Sequence, residues 1–120
     1  MVDSVFLAAR AAVLADLQAR QQATAEAVSA LEDALEQRRW WAEQWPEGTM
    51  YVAGLVAQDV QDALLESVGR WPLCLDCPGG SVHPLYIHPD LGGPDPVWVC
   101  EESGTTVAPL GGLDGATRRR

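Results

Sequence analysis

Lysine and asparagine are absent from this chain, Phe6 and Ile87 are each the only residue of their kind, and all eight basic residues are arginines. The missing types are those with AT-rich codons, which points to a high-GC genome. Positive charge is scarce as well: 17 acidic residues against 8 basic ones give a formal charge of -9. Such a surface repels a phosphate backbone unless the basic residues gather on one face. Apart from Arg118, Arg119 and Arg120 they are not concentrated, so nucleic acid is disfavoured as a partner. No stretch approaches the roughly 20 apolar residues of a membrane span, and the opening Met1-Val2-Asp3-Ser4 carries an acid where a signal peptide needs positive charge. A cytoplasmic location without membrane contact is expected.

Glycine and proline are missing from Asp3 to Glu43, where Ala, Leu, Gln, Glu and Arg dominate. That composition predicts one uninterrupted helix over about residues 4–43, capped by Asp3 or Ser4 and closed by Arg38 and Arg39. At a rise of about 1.5 Å per residue it would run roughly 60 Å. At heptad spacing Leu7, Leu14, Val28 and Leu35 form one row, interrupted by Gln21. Leu17 and Leu31 form the companion row, interrupted by Arg10, Thr24 and Arg38.

Pro46 and Gly48 break this helix. A second one is expected over about 50–68, with Val52, Val56, Val60, Ala63 and Leu64 along one face and Gly69 as its stop. Residues 1–70 thus read as a helical hairpin in which the first arm is about twice as long as the second. The surplus stripe of Leu7, Leu14, Leu17, Val28, Leu31 and Leu35 is expected to be an interaction surface, for other copies of the chain or for a larger assembly. Trp40, Trp41 and Trp45 crowd the end of the long helix, either as a plug at the corner or as an anchor for a partner.

Beyond Arg70 the scarcity reverses, and Pro and Gly recur every few residues. "VHPLYIH" and "PVWVC", separated by "PDLGGPD", predict a β-hairpin with a wide loop. "VAPLGGL" packs back on it, and residues 114–120 read as a flexible tail.

Cysteine is the last scarce residue, and its three copies, Cys74, Cys77 and Cys100, cannot all pair within one chain. In a reducing compartment such thiols are more often metal ligands or buried residues than disulfides. A redox Cys-x-x-Cys needs a helix starting at the motif to lower the nucleophile's pKa, whereas here Trp71-Pro72 precedes the pair and Pro78-Gly79-Gly80 follows it. Tetrahedral zinc needs four Cys or His ligands, the first pair closely spaced. Cys74 and Cys77 supply that pair, Pro78-Gly79-Gly80 a tight turn, and Cys100 the third ligand.

His83 and His88 compete for the fourth position. A hairpin turn centred near Gly92 places His83 opposite Glu101, beside Cys100, and His88 at the far end opposite Pro96. Their odd separation puts the two on opposite faces of a strand. The expected site is therefore Cys74, Cys77, His83 and Cys100, with His88 as the alternative to His83. A zinc deaminase would need His-x-Glu upstream of Pro-Cys-x-x-Cys, and no histidine precedes these cysteines. A hydrolytic zinc keeps one position open, with Glu101 or Glu102 as base, and four protein ligands leave none. "GGPDP" and "GGLDG" have no helix after them in this reading, so they lack the context of a phosphate-binding loop.

The segment "WPLCLDC...VHPLYIHPD...DPVWVCEESGTTVAPLGGL", over residues 71–110, resembles the C-terminal part of short zinc-ribbon-like proteins of actinobacteria and their phages. The resemblance implies Cys74, Cys77, His83 and Cys100 as ligands of a structural zinc, and it carries no activity with it. The expected protein is α+β: a helical hairpin over 1–70, with a zinc-ribbon-like module over 71–113. The expected function is non-enzymatic, a structural or assembly protein that self-associates or docks on a larger complex, such as a virion if the gene is a phage's. The alternative is a zinc-ribbon adaptor or regulator contacting nucleic acid or a nucleic-acid enzyme.

Overall fold

The fold is that of a computed structural model describing residues 2–75, 77, 82–89 and 94–118. It is α+β. Three helices, α1 (Val2–Ala19), α2 (Ala25–Gln44) and α3 (Val52–Ser67), precede strands β1 (Tyr86–His88), β2 (Val97–Cys100) and β3 (Thr105–Pro109) and a short α4 (Leu113–Arg118).

The single helix expected over 4–43 is in fact two. Gln21 takes a left-handed conformation (φ 58°), while Gln22 N–H donates to Leu17 O at 2.8 Å and Gln21 N–H to Gln18 O at 3.0 Å. This is a Schellman cap built without the usual glycine. Thr24 then caps α2, its Oγ1 accepting from Ala27 N at 3.1 Å. The two polar interruptions of the heptad rows, Gln21 and Thr24, are thus the turn itself. Folding back puts Arg10 against Glu32 and Arg39 against Asp3, so α1 and α2 run antiparallel.

This turn also removes the surplus stripe. Leu17 and Leu31 are fully buried in the chain's own core and Leu35 nearly so, Leu14 and Val28 are half-buried, and Leu7 alone of the six is exposed, at 68%. The expectation that these six residues form one interaction surface fails because α1, α2 and α3 cover each other.

Pro46–Tyr51 forms a 3-10 turn that leads into α3. Val52, Val56, Ala57, Val60 and Leu64 of α3 are fully buried, whereas Ala63 faces outward, contrary to expectation. The chain leaves the helix at Gly69 (φ 111°), whose N–H donates to Leu64 O.

The sheet is antiparallel in the order β1-β2-β3. Tyr86 faces Val99, Ile87 faces Trp98 and His88 faces Val97, one residue off the expected register, so His88 lies opposite Val97 and not Pro96. The turn near Gly92 lies outside the described residues. "TTVAP" adds a third strand, with a register shift between Trp98 and Val99. The flexible tail expected from 114 is instead helical through Arg118, with Leu113 fully buried at its start.

Asp16 is what ties the sheet to α1. Its carboxylate is fully buried and accepts from Trp98 Nε1 (2.7 Å), Gly111 N (2.7 Å) and Leu113 N (3.0 Å). Burial pushes its carboxyl above the ordinary range, against the lowering pull of those three donors and of Arg20. Gln61 makes the equivalent tie from α3, donating Nε2 to Trp71 O and Leu85 O. No helix among the described residues is long and apolar enough to cross a membrane.

Candidate metal centre

Two backbone pairings build the site. Cys74 N–H donates to His83 O at 2.9 Å and Leu85 N–H to Pro72 O at 2.7 Å, with an antiparallel bridge between Leu73 and Pro84. The cysteine segment is thereby zipped alongside the residues entering β1. β2 brings Cys100 in from the other side, and Trp98, two residues earlier on the same strand, faces the same side and packs edge-on against Trp71 at 5.4 Å between ring centroids. Paired backbone on one side and packed rings on the other thus bring the two halves of the cluster together.

The donor atoms of Cys74, Cys77, His83 and Cys100 all lie within 4.8 Å of one another. Cys77 Sγ is 3.4 Å from Cys100 Sγ, and His83 Nε2 is 3.5 Å from Cys100 Sγ. Ligands about 2.3 Å (S) and 2.0 Å (N) from a tetrahedral zinc sit roughly 3.5–3.8 Å apart, so these edges are close to those of a coordination tetrahedron. The three cysteines are free thiols, Cys100 and His83 are buried, and Cys74 and Cys77 are half-buried. The cluster could hold a metal ion, and its three soft sulfurs with one imidazole suit zinc by chemistry.

His88 lies apart from this cluster. Its Nε2 is 2.8 Å from Glu101 Oε2 on a half-exposed surface, which takes both residues into an ion pair when the imidazole is protonated. The turn at Pro78-Gly79-Gly80 falls outside the described residues.

The thiols differ electrostatically. Cys100 is lowered to about 6, chiefly by a hydrogen bond with the Ser103 side chain, against the opposing effect of burial and with smaller help from Ser103 N–H, His83 and Cys77. Cys77 is pushed up to about 12, first by its hydrogen bond to Cys100, then by burial and by Cys74. The hydrogen bonds thus favour the thiolate on Cys100 over that on Cys77. Gly104 N–H closes the turn after β2 on Cys100 O at 2.8 Å, which keeps Ser103 over the sulfur. Sequence reasoning passed over Ser103, although "CEESG" after a strand is a turn signal that places a hydroxyl near Cys100.

Fold and site together define a small α+β protein whose β module gathers a Cys3His cluster able to hold a metal ion. Residues 2–110 match the family described as Domain of unknown function (DUF8819), and the chain belongs to that family. No curated protein and no solved structure matches it.

Proposed function

We propose that this chain is a non-enzymatic structural or assembly protein whose β module is stapled by one zinc ion on Cys74, Cys77, His83 and Cys100. The observation that supports the staple is the convergence of four donor atoms within 4.8 Å from segments as far apart in sequence as Cys74 and Cys100. Strands of three, four and five residues bury too little to hold such a module alone, and metal binding contributes folding free energy directly. Four protein ligands occupy a tetrahedral ion completely and leave no position for an activated water, which favours a structural over a catalytic role. The kinship with zinc-ribbon-like proteins of actinobacteria and phages belongs to the same reading.

In this reading the helical region docks on copies of the chain or on a larger complex, a virion being one candidate. With Leu17, Leu31 and Leu35 committed to the core, that contact uses the outward faces of the helices. Elemental analysis and light scattering on the same purified sample test both parts. One zinc per chain in a defined oligomer or co-purifying complex is the expected result. A fully folded, metal-free protein overturns the staple, and a strict monomer with no companion overturns self-association.

A further inference from the structure

We infer that the groove on the outer face of α2 at Trp40 is a docking site for an arginine-bearing segment of a partner protein. This deepens the docking part of the function proposed above and rests on it, not on the zinc.

The groove, of roughly 680 Å³, is lined by Asp33, Glu36, Gln37, Arg38, Trp40 and Trp41. Asp33, Glu36, Gln37 and Trp40 stand three, four and seven residues apart on one helix and so share its face. Trp40 is 65% exposed, an unusual position for the largest apolar side chain, and Trp45 (45%) and Met50 (54%) continue the apolar surface around the corner. Among the described residues, Asp33 and Glu36 have no ion-pair partner. The corner beneath is rigid: Trp41 meets Trp45 edge-on at 5.3 Å and Trp45 stacks on Tyr51. Gly48 lies so close that an added Cβ would sit 2.5 Å from both Trp41 and Trp45.

The choice of arginine comes from charge complementarity and from a pattern already present beside the groove. The Arg38 guanidinium lies 5.4 Å from the centroid of the Trp41 ring while holding Asp59 through two hydrogen bonds, Nε to Oδ2 at 2.7 Å and Nη2 to Oδ1 at 2.9 Å. Arg38 is thereby neutralised. Trp40 lines the groove together with Asp33 and Glu36, so an exposed indole and two carboxylates again share one surface. A planar guanidinium can stack on the ring and fork to a carboxylate at once, whereas an ammonium makes only the point-charge contact.

Fluorescence anisotropy of labelled hexaarginine and hexalysine peptides, titrated with the intact protein at low salt, tests this. Hexaarginine is expected to bind about threefold or more tighter than hexalysine, since charge is equal and only stacking and forking differ. Trp40→Ala should weaken hexaarginine binding about fivefold and Glu36→Gln about threefold, with the affinity falling as salt rises. Asp62→Asn removes one charge from α3 at a different cleft, and should change binding less than about twofold. All three substitutions are at exposed positions, so folding is retained. Equal binding of the two peptides, with Asp62→Asn as damaging as Glu36→Gln, would show only diffuse attraction to an acidic chain and overturn the inference. So would absence of binding. A dimer dissolved by Trp40→Ala but indifferent to hexaarginine would give the groove to a second copy and overturn it equally. Zinc content measured on the same sample bears on the staple alone, so failure of one reading is not mistaken for failure of the other.

Discussion

Val13, Leu17, Leu31, Val52, Val56, Val60 and Leu64 are all fully buried among three helices of 16 to 20 residues, whereas the sheet has strands of only three to five residues and gathers at one end a Cys3His cluster that could hold a metal ion. The helical part is held by apolar burial spread over many side chains, so no one contact decides it. The β module adds to its buried Trp71, Leu85, Ile87 and Trp98 a few polar focal points: the Cys3His cluster, the Asp16 carboxylate and the Gln61 amide. A small domain can use either device. Burial tolerates partial loss, while a focal contact fails as a unit because its partners are left buried and unpaired.

The sharpest way to separate the two regions is to remove the metal of the proposed staple. Chelation, or Cys100→Ser, is expected to unfold the β module, since structural zinc contributes on the order of 10 kcal/mol in small domains. Helical circular dichroism should largely persist while amide protection in β2 is lost; survival of both would break the comparison. Metal uptake should strengthen as pH rises, because Cys77, held near 12, must give up its proton to ligate. Proton release measured by calorimetry in buffers of different ionisation enthalpy checks that sign.

Within the helices, Leu17→Ala should cost about 4 kcal/mol by denaturant unfolding, and Leu7→Ala less than about 0.5, although both lie in the same apolar pattern. Similar costs would mean that the six-leucine-and-valine stripe acts as one surface after all.

Asp16→Ala should cost about 3 kcal/mol by leaving three donors unpaired, two of them buried. Its raised pKa means that the folded chain holds the proton longer than the unfolded one, so stability falls as pH climbs from the ordinary carboxylate value of 3.8 toward the raised one. Subtracting the pH profile of Asp16→Asn from that of the native chain isolates this slope, and identical profiles would rule it out. The smallest effect is expected at the turn between α1 and α2, where Thr24→Ala should cost about 1 kcal/mol and Thr24→Ser almost nothing.

Local chemistry made much of this protein legible. The two classes of structure followed from where Gly and Pro begin, α3 from its valine spacing, and the choice of His83 over His88 from strand parity. His83 does lie in the cluster and His88 outside it, but parity alone did not secure this: in the expected register His83 shares a face with Glu101, and only the one-residue shift matches odd-numbered positions of β1 with the face of Cys100. The break at Gln21 escaped the sequence reading because a left-handed non-glycine residue leaves no compositional mark.

The sequence by itself determined an α+β chain with a Cys-x-x-Cys pair, a third cysteine and a candidate histidine, since periodicity and ligand spacing are properties of neighbours along the chain. Only the tertiary structure decided that the apolar stripe closes on itself, that Trp40 stays outside, and that Asp16 joins α1 to Trp98, 82 residues away. Those are outcomes of which faces cover one another, and that depends on where the chain reverses.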